Sequence, residues 1–577
     1  RPPGSTLFPY TTLFRSFQEL NVPVFKPVVS YSKSVEEWNE DPQGLTAEVS
    51  FGIALPEFEG NIEPLIIACS RRVADSRTDT VFEIREAILE RVGRIADRIA
   101  RWISLEETPP AERKAVFVFH KNECAGLEAG IGGAGGLDSG ESVVGIMKRM
   151  RESGYRIDGI PASGEDLMQL MLSRKATAEF RWTTVEEIVA KGGHLALLDS
   201  DTYRGWFDEL PESARKRMVE AWGEPPGQPM NGVPAAMVMD GRLVLTGLNF
   251  GNVNVVMQPK RGCAGSRCDG QVCKILHDPD IPPPHQYLAT YMYMDRVFGA
   301  DVVIHVGTHG NLEWMPGKGA GLSGSCWPDI SIGRMPHLYI YNADNPAEGV
   351  VAKRRSYAVL VDHMQAVMKT SGTYGELAEL EDLLNEYGRI DENGKARAHQ
   401  LEHLIREKAA RLHLAEDSGL EAEGDFPRVV IRLHEALSRI RNSQTRVGMH
   451  VFGRELEEAD RAALINTILR FDSGNELNSR RLAFEFWGKD FARALAEPGA
   501  VMDDGKTGGE LLFEADQWAS ELISGIISGR DGSLPPDGES RIGKLDRFRQ
   551  LVREIDRRIR ASRETESLLK ALDGGYV

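Results

Sequence analysis

Apolar positions follow two rhythms along this chain, and the change from one to the other suggests its architecture. Ile84, Ile88, Val92, Ile95, Ile99 and Trp102 recur at three- and four-residue steps, which predicts one long helix with a buried face. EETPPAER, Glu106 to Arg113, breaks that pattern with two prolines and reads as a linker. Short apolar runs bounded by turn residues then take over: AVFVFH at Ala115 to His120, Leu195 to Leu198, VNVVMQ at Val253 to Gln258, DVVIHV at Asp301 to Val306, LYIY at Leu338 to Tyr341 and AVLV at Ala358 to Val361. Each predicts a strand, and VMDGRLVL predicts a hairpin turning on Asp240-Gly241. A helix from about Glu141 to Ser153 and further helical segments lie between them. Strands interleaved with helices indicate α/β layers around a largely parallel sheet.

After about Thr373 the strands fade. Leu377, Leu380, Leu384 and Tyr387 form one helical stripe, and Leu545, Phe548, Val552, Ile555 and Ile559 another. The expected fold class is therefore multi-domain α/β, a parallel-sheet core followed by a mostly helical region. Residues 17–105 read as the end of an N-terminal α/β domain, 112–372 as an α/β domain and 373–577 as a mainly helical region truncated at its C-terminus. STLFPYTTLFRS, Ser5 to Ser16, resembles a translated sequencing adapter, so 1–16 are set aside as an artefact. The abrupt ends suggest a piece of a longer protein.

Composition narrows the classes. The 577 residues are 41% hydrophobic and 27% charged, an ordinary globular mixture that excludes collagen-like and wholly disordered chains. No apolar run reaches the roughly 18 residues of a membrane span. The net charge of −17 argues against sequence-independent nucleic-acid binding, which needs a basic field. Six cysteines and no charged-then-apolar leader give no sign of a secreted disulfide scaffold, which makes the cytoplasm the default location.

Candidate chemistry concentrates in HVGTHGNLEWMPGKGAGLS, His305 to Ser323. A strand ends at His305, Gly307 and Gly310 turn the chain, and Asn311 is placed to cap a short helix carrying Glu313. His305, His309 and Glu313 thus offer two imidazoles and a carboxylate as metal ligands or proton acceptors, a set suited to Co²⁺, Ni²⁺ or Zn²⁺. The competing reading is a satisfied core histidine and a capping glutamate. Lys318 follows Gly317, but the spacing is not that of a P-loop, so ATP hydrolysis would need another chain. Gly130 to Gly135 matches G-x-G-x-x-G, yet nine residues separate it from the preceding strand; a loop over a pocket fits better than a nicotinamide site. Cys263, Cys268 and Cys273, with His277, form a cluster that could hold an iron–sulfur cluster or Zn²⁺, though not at zinc-knuckle spacing. Cys69, Cys124 and Cys326 read as buried small hydrophobes. Lys353, Arg354 and Arg355 are three consecutive cations that either receive substrate carboxylates or lie on a solvated helix face. His285, in PPPHQY, is either a fixed pocket residue or a turn residue.

The run HVGTHGNLEWMPGKGAGLSGSCWPDISIGRMPHLYIYNADNPAEGVVAKRRSYA, His305 to Ala358, resembles the large subunit of cobaltochelatase, in the family shared with the magnesium chelatase H subunit. GNVNVVMQP, PPPHQYLATY, DHMQAVM, TYGELAELEDLLNEY, GMHVFGREL and ETESLLKALDGGYV resemble the same family in order. The resemblance implies ATP-dependent insertion of a divalent metal into a tetrapyrrole, with two partner subunits, one an AAA+-type ATPase using ATP and Mg²⁺. For the cobalt branch it implies Co²⁺ and hydrogenobyrinic acid a,c-diamide; for the magnesium branch, protoporphyrin. It gives His309 and Glu313 the roles of metal ligand and base, and makes His305 a second ligand or orienting residue. Lys318, Lys353, Arg354 and Arg355 would meet substrate carboxylates. Trp314, with Met315, Trp327 and Tyr291, would wall the macrocycle, and His285 would line the site. A non-catalytic metal- or corrinoid-binding module is the alternative. The cysteine cluster departs from the family pattern and leaves nickel or another metal open.

Overall fold

The computed structural model describes residues 10–120, 132–177, 184–227, 237–261, 280–308, 310–342, 344–370, 375–390, 395–414, 426–442, 444–446, 448–471, 477–502, 505–530 and 539–576. Backbone packing divides the chain into two compact units. One comprises Arg1–Gln365, Val451–Gly453 and Arg563–Val577; the other Ala366–His450 and Arg454–Ser562.

In the first unit, after short helices and a two-residue strand at Val28–Val29, comes an antiparallel ribbon, β1 (Ile66–Asp75) and β2 (Thr80–Ala87), followed by α1 (Leu89–Glu107). The helical stripe expected from Ile84 is therefore shorter than its spacing suggests. Ile84 pairs with Arg71 in the ribbon, and the helix starts at Leu89, where Ile95 and Trp102 are buried but Val92 is exposed. A four-residue step fits two strand residues as readily as one helical turn when β-branched residues dominate. The proline-bearing stretch after α1 lies wholly inside this unit. Arg113 pins it, its guanidinium donating to the Tyr155 hydroxyl at 3.3 Å and to the Glu106 carbonyl at 3.2 Å and pairing with Asp573.

The central sheet follows from the apolar runs. Its strands are β3 (Ala115–Phe119), β4 (Leu248–Asn249), β5 (Val253–Met257), β6 (Val302–Val306), β7 (His337–Tyr341) and β8 (Val359–Asp362). They lie in the order β8-β7-β6-β3-β5-β4, all pairs parallel except β4 with β5. Such near-continuous apolar strands belong to a sheet covered on both faces. One face, with Phe117, Val255, Ile304 and Ile340, packs on α2 (Ser139–Glu152) through Val143, Val144 and Met147. The other, with Val116, Val118, Val256 and Val303, packs on α3 (His285–Tyr293) and α4 (Trp327–Ile332). A separate small sheet contains the predicted hairpin, Val238–Met239 with Arg242–Thr246. Asp240 and Gly241 both have positive φ, 49° and 72°, the geometry a two-residue hairpin turn requires.

The second unit is mainly helical. α5 (Glu376–Gly388), α6 (Lys395–Arg411) and α7 (Phe426–Asn442) share a core of Leu380, Leu384, Leu401, Ile405, Leu433 and Leu437. Leu545, Phe548 and Val552 of α8 (Glu539–Arg560) pack with Ile465 and Ile523, as their spacing predicts. Among the described residues no helix is long and apolar enough to cross a membrane.

Candidate functional site

The carboxyl ends of β5, β6 and β7 bring together side chains that are far apart in sequence. His305 lies in β6 opposite Tyr339 of β7 and is 2% exposed. Strand alternation places it on the α3 side of the sheet. Its Nε2 is 3.0 Å from the Tyr291 hydroxyl of α3, and its ring meets those of His337 and Tyr339 edge-on, with centroids 4.6 and 5.2 Å away. Burial, reinforced by His337 and His120, holds the His305 imidazole well below its usual pKa. Burial likewise lowers His337 to about 4, opposed by the hydrogen bond to the Ser356 carbonyl. Both rings are therefore neutral at neutral pH.

Beyond β6 the backbone must pass beneath a neighbouring loop. Gly307 has φ 131°, and a Cβ there would lie 2.7 Å from the Gly133 carbonyl oxygen, so only glycine fits. The Gly135 N–H donates to Thr308 Oγ1 at 3.1 Å, and Asn342 Nδ2 donates to the Gly135 carbonyl at 3.0 Å. The described part of the glycine-rich stretch thus covers the ends of β6 and β7.

The expected short helix after Gly310 is absent. Residues 310–316 form successive turns, with Trp314 N–H bonded to Asn311 O at 3.3 Å and Met315 N–H to Leu312 O at 3.4 Å, and Pro316 and Gly317 prevent their continuation. Asn311 caps no helix; its own N–H donates to Gln258 Oε1 at 2.7 Å. Glu313, 1% exposed, folds back so that Oε1 accepts from the Gly310 N–H at 2.9 Å and from the Tyr339 hydroxyl at 3.5 Å. Gln258 Nε2 donates to the hydroxyls of Tyr287 at 3.2 Å and Tyr291 at 3.1 Å. His305 and Glu313 consequently converge on Tyr339, inside a polar network closed by Gln258 and Tyr291. The arrangement offers a neutral imidazole and an enclosed carboxylate beside a strand end, groups able to take up protons or ligate a cation. His309 lies outside the described residues, as do Gly130, Cys124, Cys263, Cys268, Cys273 and His277. Among the described residues no group of three or more His, Cys, Asp or Glu side chains is placed to hold a metal ion.

The remaining expected residues have other partners. Trp314 is 40% exposed beside buried Leu312 and Met315, whereas Trp327 and Tyr291 are enclosed. Lys318 is buried and donates to the carbonyls of Asn39 at 3.0 Å and Asp41 at 2.7 Å. Arg354 forms a two-pronged ion pair with Glu57, at 3.1 and 2.8 Å. Arg355 donates to the carbonyls of Met315 and Gly317 and so buttresses the turn carrying Glu313. Lys353 is half-buried, and that burial lowers its pKa. His285 is packed against Tyr203 and Phe207, with Nδ1 3.0 Å from the Tyr203 hydroxyl and Nε2 2.8 Å from the Gly223 carbonyl. Cys69 and Cys326 are buried free thiols.

The sequence reading missed a cleft of about 1170 Å³ lined by Arg91, Arg94, Arg296, Arg334, Asp329 and Tyr291, among others. Tyr291 therefore touches both the cleft and His305. Arg91 and Arg94 pair with Asp329 at 3.0 and 2.9 Å, and the Tyr357 hydroxyl donates to the same carboxylate at 2.7 Å. One turn on, Arg98 grips the buried Glu63 at 2.6 and 2.9 Å. The available signal was Arg91, Arg94 and Arg98 at helical spacing on the same helix as buried Ile95 and Trp102.

The family model described as CobN/Magnesium Chelatase matches residues 7–577. The chain is 43% identical to an uncharacterized protein of Methanocaldococcus jannaschii over 97% of its own length and 44% of that protein. It is 33% identical to the aerobic cobaltochelatase subunit CobN of Pseudomonas aeruginosa, over 79% of this chain and 35% of the relative. The solved catalytic subunit of cobaltochelatase from Mycobacterium tuberculosis superposes with a TM-score of 0.78 at 27% identity, covering 97% of this chain and 45% of that one. The chain thus spans less than half the length of each of these relatives. With the family model covering nearly the whole chain and the fold matching a cobaltochelatase catalytic subunit, this chain belongs to the CobN/magnesium chelatase family.

Proposed function

We propose that this chain forms the tetrapyrrole- and metal-binding part of a cytoplasmic, ATP-dependent cobaltochelatase that inserts Co²⁺ into hydrogenobyrinic acid a,c-diamide during cobalamin biosynthesis. Its motor would be an AAA+-type ATPase with a companion subunit. The observation behind this reading is the Glu313 carboxylate, enclosed at the strand end and held by Gly310 and Tyr339 next to neutral His305. Metal insertion requires two pyrrolic protons to leave and the hydrated ion to shed water, so a proton acceptor and an exchangeable ligand must lie close together. Glu313 is the proposed base and His309 the metal ligand. His305, with Nε2 directed at the Tyr291 hydroxyl, is better suited to orient the site than to bind metal. Trp314 offers an exposed ring for stacking against the macrocycle. Arg91 and Arg94 are committed to Asp329, while Arg334, half-exposed in the same cleft, pairs through Nε with Asp295 at 3.2 Å and keeps its outer face for a substrate carboxylate.

Magnesium insertion into protoporphyrin is the second reading, because the matching family includes both chelatases. Fluorescence quenching titrations with the corrin precursor and with protoporphyrin separate the two, and binding of neither removes both. With ATP and partner subunits present, Glu313→Gln should lower the insertion rate about 10²–10⁴-fold, the usual scale of a lost general base. Full activity in that variant would remove Glu313 from the mechanism.

A further inference from the structure

The helical unit carries a pair of imidazoles that the chelatase reading does not use. α6 buries Leu401, Ile405 and Ala409, which turns His399 and His403 outward, and both are exposed. Four residues apart on a helix, they are neighbours on one face. Their Nε2 atoms stand 3.3 Å apart, with ring centroids 4.7 Å apart and ring planes at 80°. Two imidazole nitrogens bound at about 2.0–2.1 Å to one tetrahedral ion must be about 3.3–3.4 Å from each other. The two Nε2 atoms lie at hydrogen-bond distance, so one carries the proton that the other accepts, and the tautomers decide which.

We infer that His399 and His403 form a surface site for one borderline divalent ion such as Zn²⁺, with each ring protonated on Nδ1, ligating through Nε2, and water completing the coordination. Neutral imidazole is the ligand such ions favour. The helix is already fixed for this role. Arg406 pairs with Glu402 at 2.9 Å and Arg397 with Glu386 at 2.6 Å, so binding needs little further ordering of the backbone. The inference is independent of the proposed chelatase chemistry, which uses residues of the other unit.

The test is a zinc titration of the whole chain against a chromophoric chelator, comparing wild type with His399→Ala, His403→Ala and the transposed variant His403→Ala/Leu404→His. The transposed chain keeps two imidazoles on the helix but sets them five residues apart, off a shared face. Wild type should hold one more zinc per chain than each of the three variants, with unchanged far-UV circular dichroism, since both rings are exposed. Zinc held elsewhere, including at the cysteine cluster, is common to all four proteins and cancels in the difference. Equal zinc content in wild type and either single variant would overturn the site. Equal content in the transposed variant would overturn its geometry.

Discussion

The two faces of the central sheet are equally dry and serve different ends. Along β6, Val302, Ile304 and Val306 turn to the face covered by α2, where Val143, Val144 and Met147 meet them. Val303 and His305 turn to the other, where His305, His337, Tyr339, Tyr287, Tyr291 and Gln258 form a polar layer. The first face needs only shape and volume, because apolar burial is nondirectional. The second pairs most of its hydroxyl, imidazole and amide groups internally, since burying an unpaired polar group costs free energy. A strand with period two can thus bear packing on one side and chemistry on the other within five residues. If that division holds, substitutions on the two faces should separate stability from activity.

The largest expected effect is on the apolar face. Ile304→Ala removes a fully buried side chain and should cost about 2–5 kcal/mol, read as a lower urea midpoint. Insertion rate per folded molecule should hardly change, because the side chain points away from His305 and Glu313. A rate that falls in proportion to stability would mean that the two faces are not independent. Next in size is a pH effect on the polar side. Burial lowers His285 to about 4, opposed by its hydrogen bond to the Gly223 carbonyl. In the unfolded chain histidine binds its proton near pH 6.5. Between these values the unfolded state holds more protons than the folded one, so stability rises with pH. It is complete above about pH 6.5 and lost as pH falls to about 4, by roughly 3 kcal/mol for this one group. His285→Asn should remove that part of the acid sensitivity, measured as the difference between urea midpoints at pH 7 and pH 5. An unchanged difference would show that His285 protonates freely when folded.

These contrasts show what was legible in the sequence. The apolar runs at Ala115, Val253, Asp301 and Leu338 marked the strands within a residue or two, because a doubly covered parallel sheet leaves an unmistakable uninterrupted apolar text. The long motif after His305 drew attention to His305 and Glu313, which the fold brings together on Tyr339. The supporting groups were less visible. Gln258 and Tyr291 act through hydrogen bonds that span 14 to 53 residues of sequence, and such pairing has no local pattern. Asn311 misled because Asx residues serve turns and helix caps equally well. The cations at Lys318, Arg354 and Arg355 looked free because charge is readable in sequence while the carbonyls and the Glu57 carboxylate that engage them are not. Ile84 misled because a stripe of β-branched residues can belong to a ribbon.

The smallest expected effect probes the join between the faces' two functions. Tyr291→Phe keeps the ring, and with it the stacking on Tyr287 at a 5.1 Å centroid distance, but deletes the hydroxyl that meets both His305 Nε2 and Gln258 Nε2. Loss of a buried hydroxyl that leaves its partners short should cost about 1–3 kcal/mol, at or below the Ile304→Ala penalty. Its effect on rate should nevertheless be the larger of the two. His305 would lose the contact that fixes its ring, and Gln258, which holds the Asn311 N–H at the start of the Glu313 turn, would lose one of its anchors. Tyr287→Phe supplies the comparison, because that hydroxyl accepts from Gln258 Nε2 while the Tyr291 hydroxyl is the one that meets His305 Nε2. Insertion should fall further in Tyr291→Phe than in Tyr287→Phe at matched stability, with KM for the macrocycle changed less than kcat. Equal rates in the two variants would show that the His305 ring is set by packing against His337 and Tyr339 alone, and that the hydroxyl network only satisfies a buried polar layer.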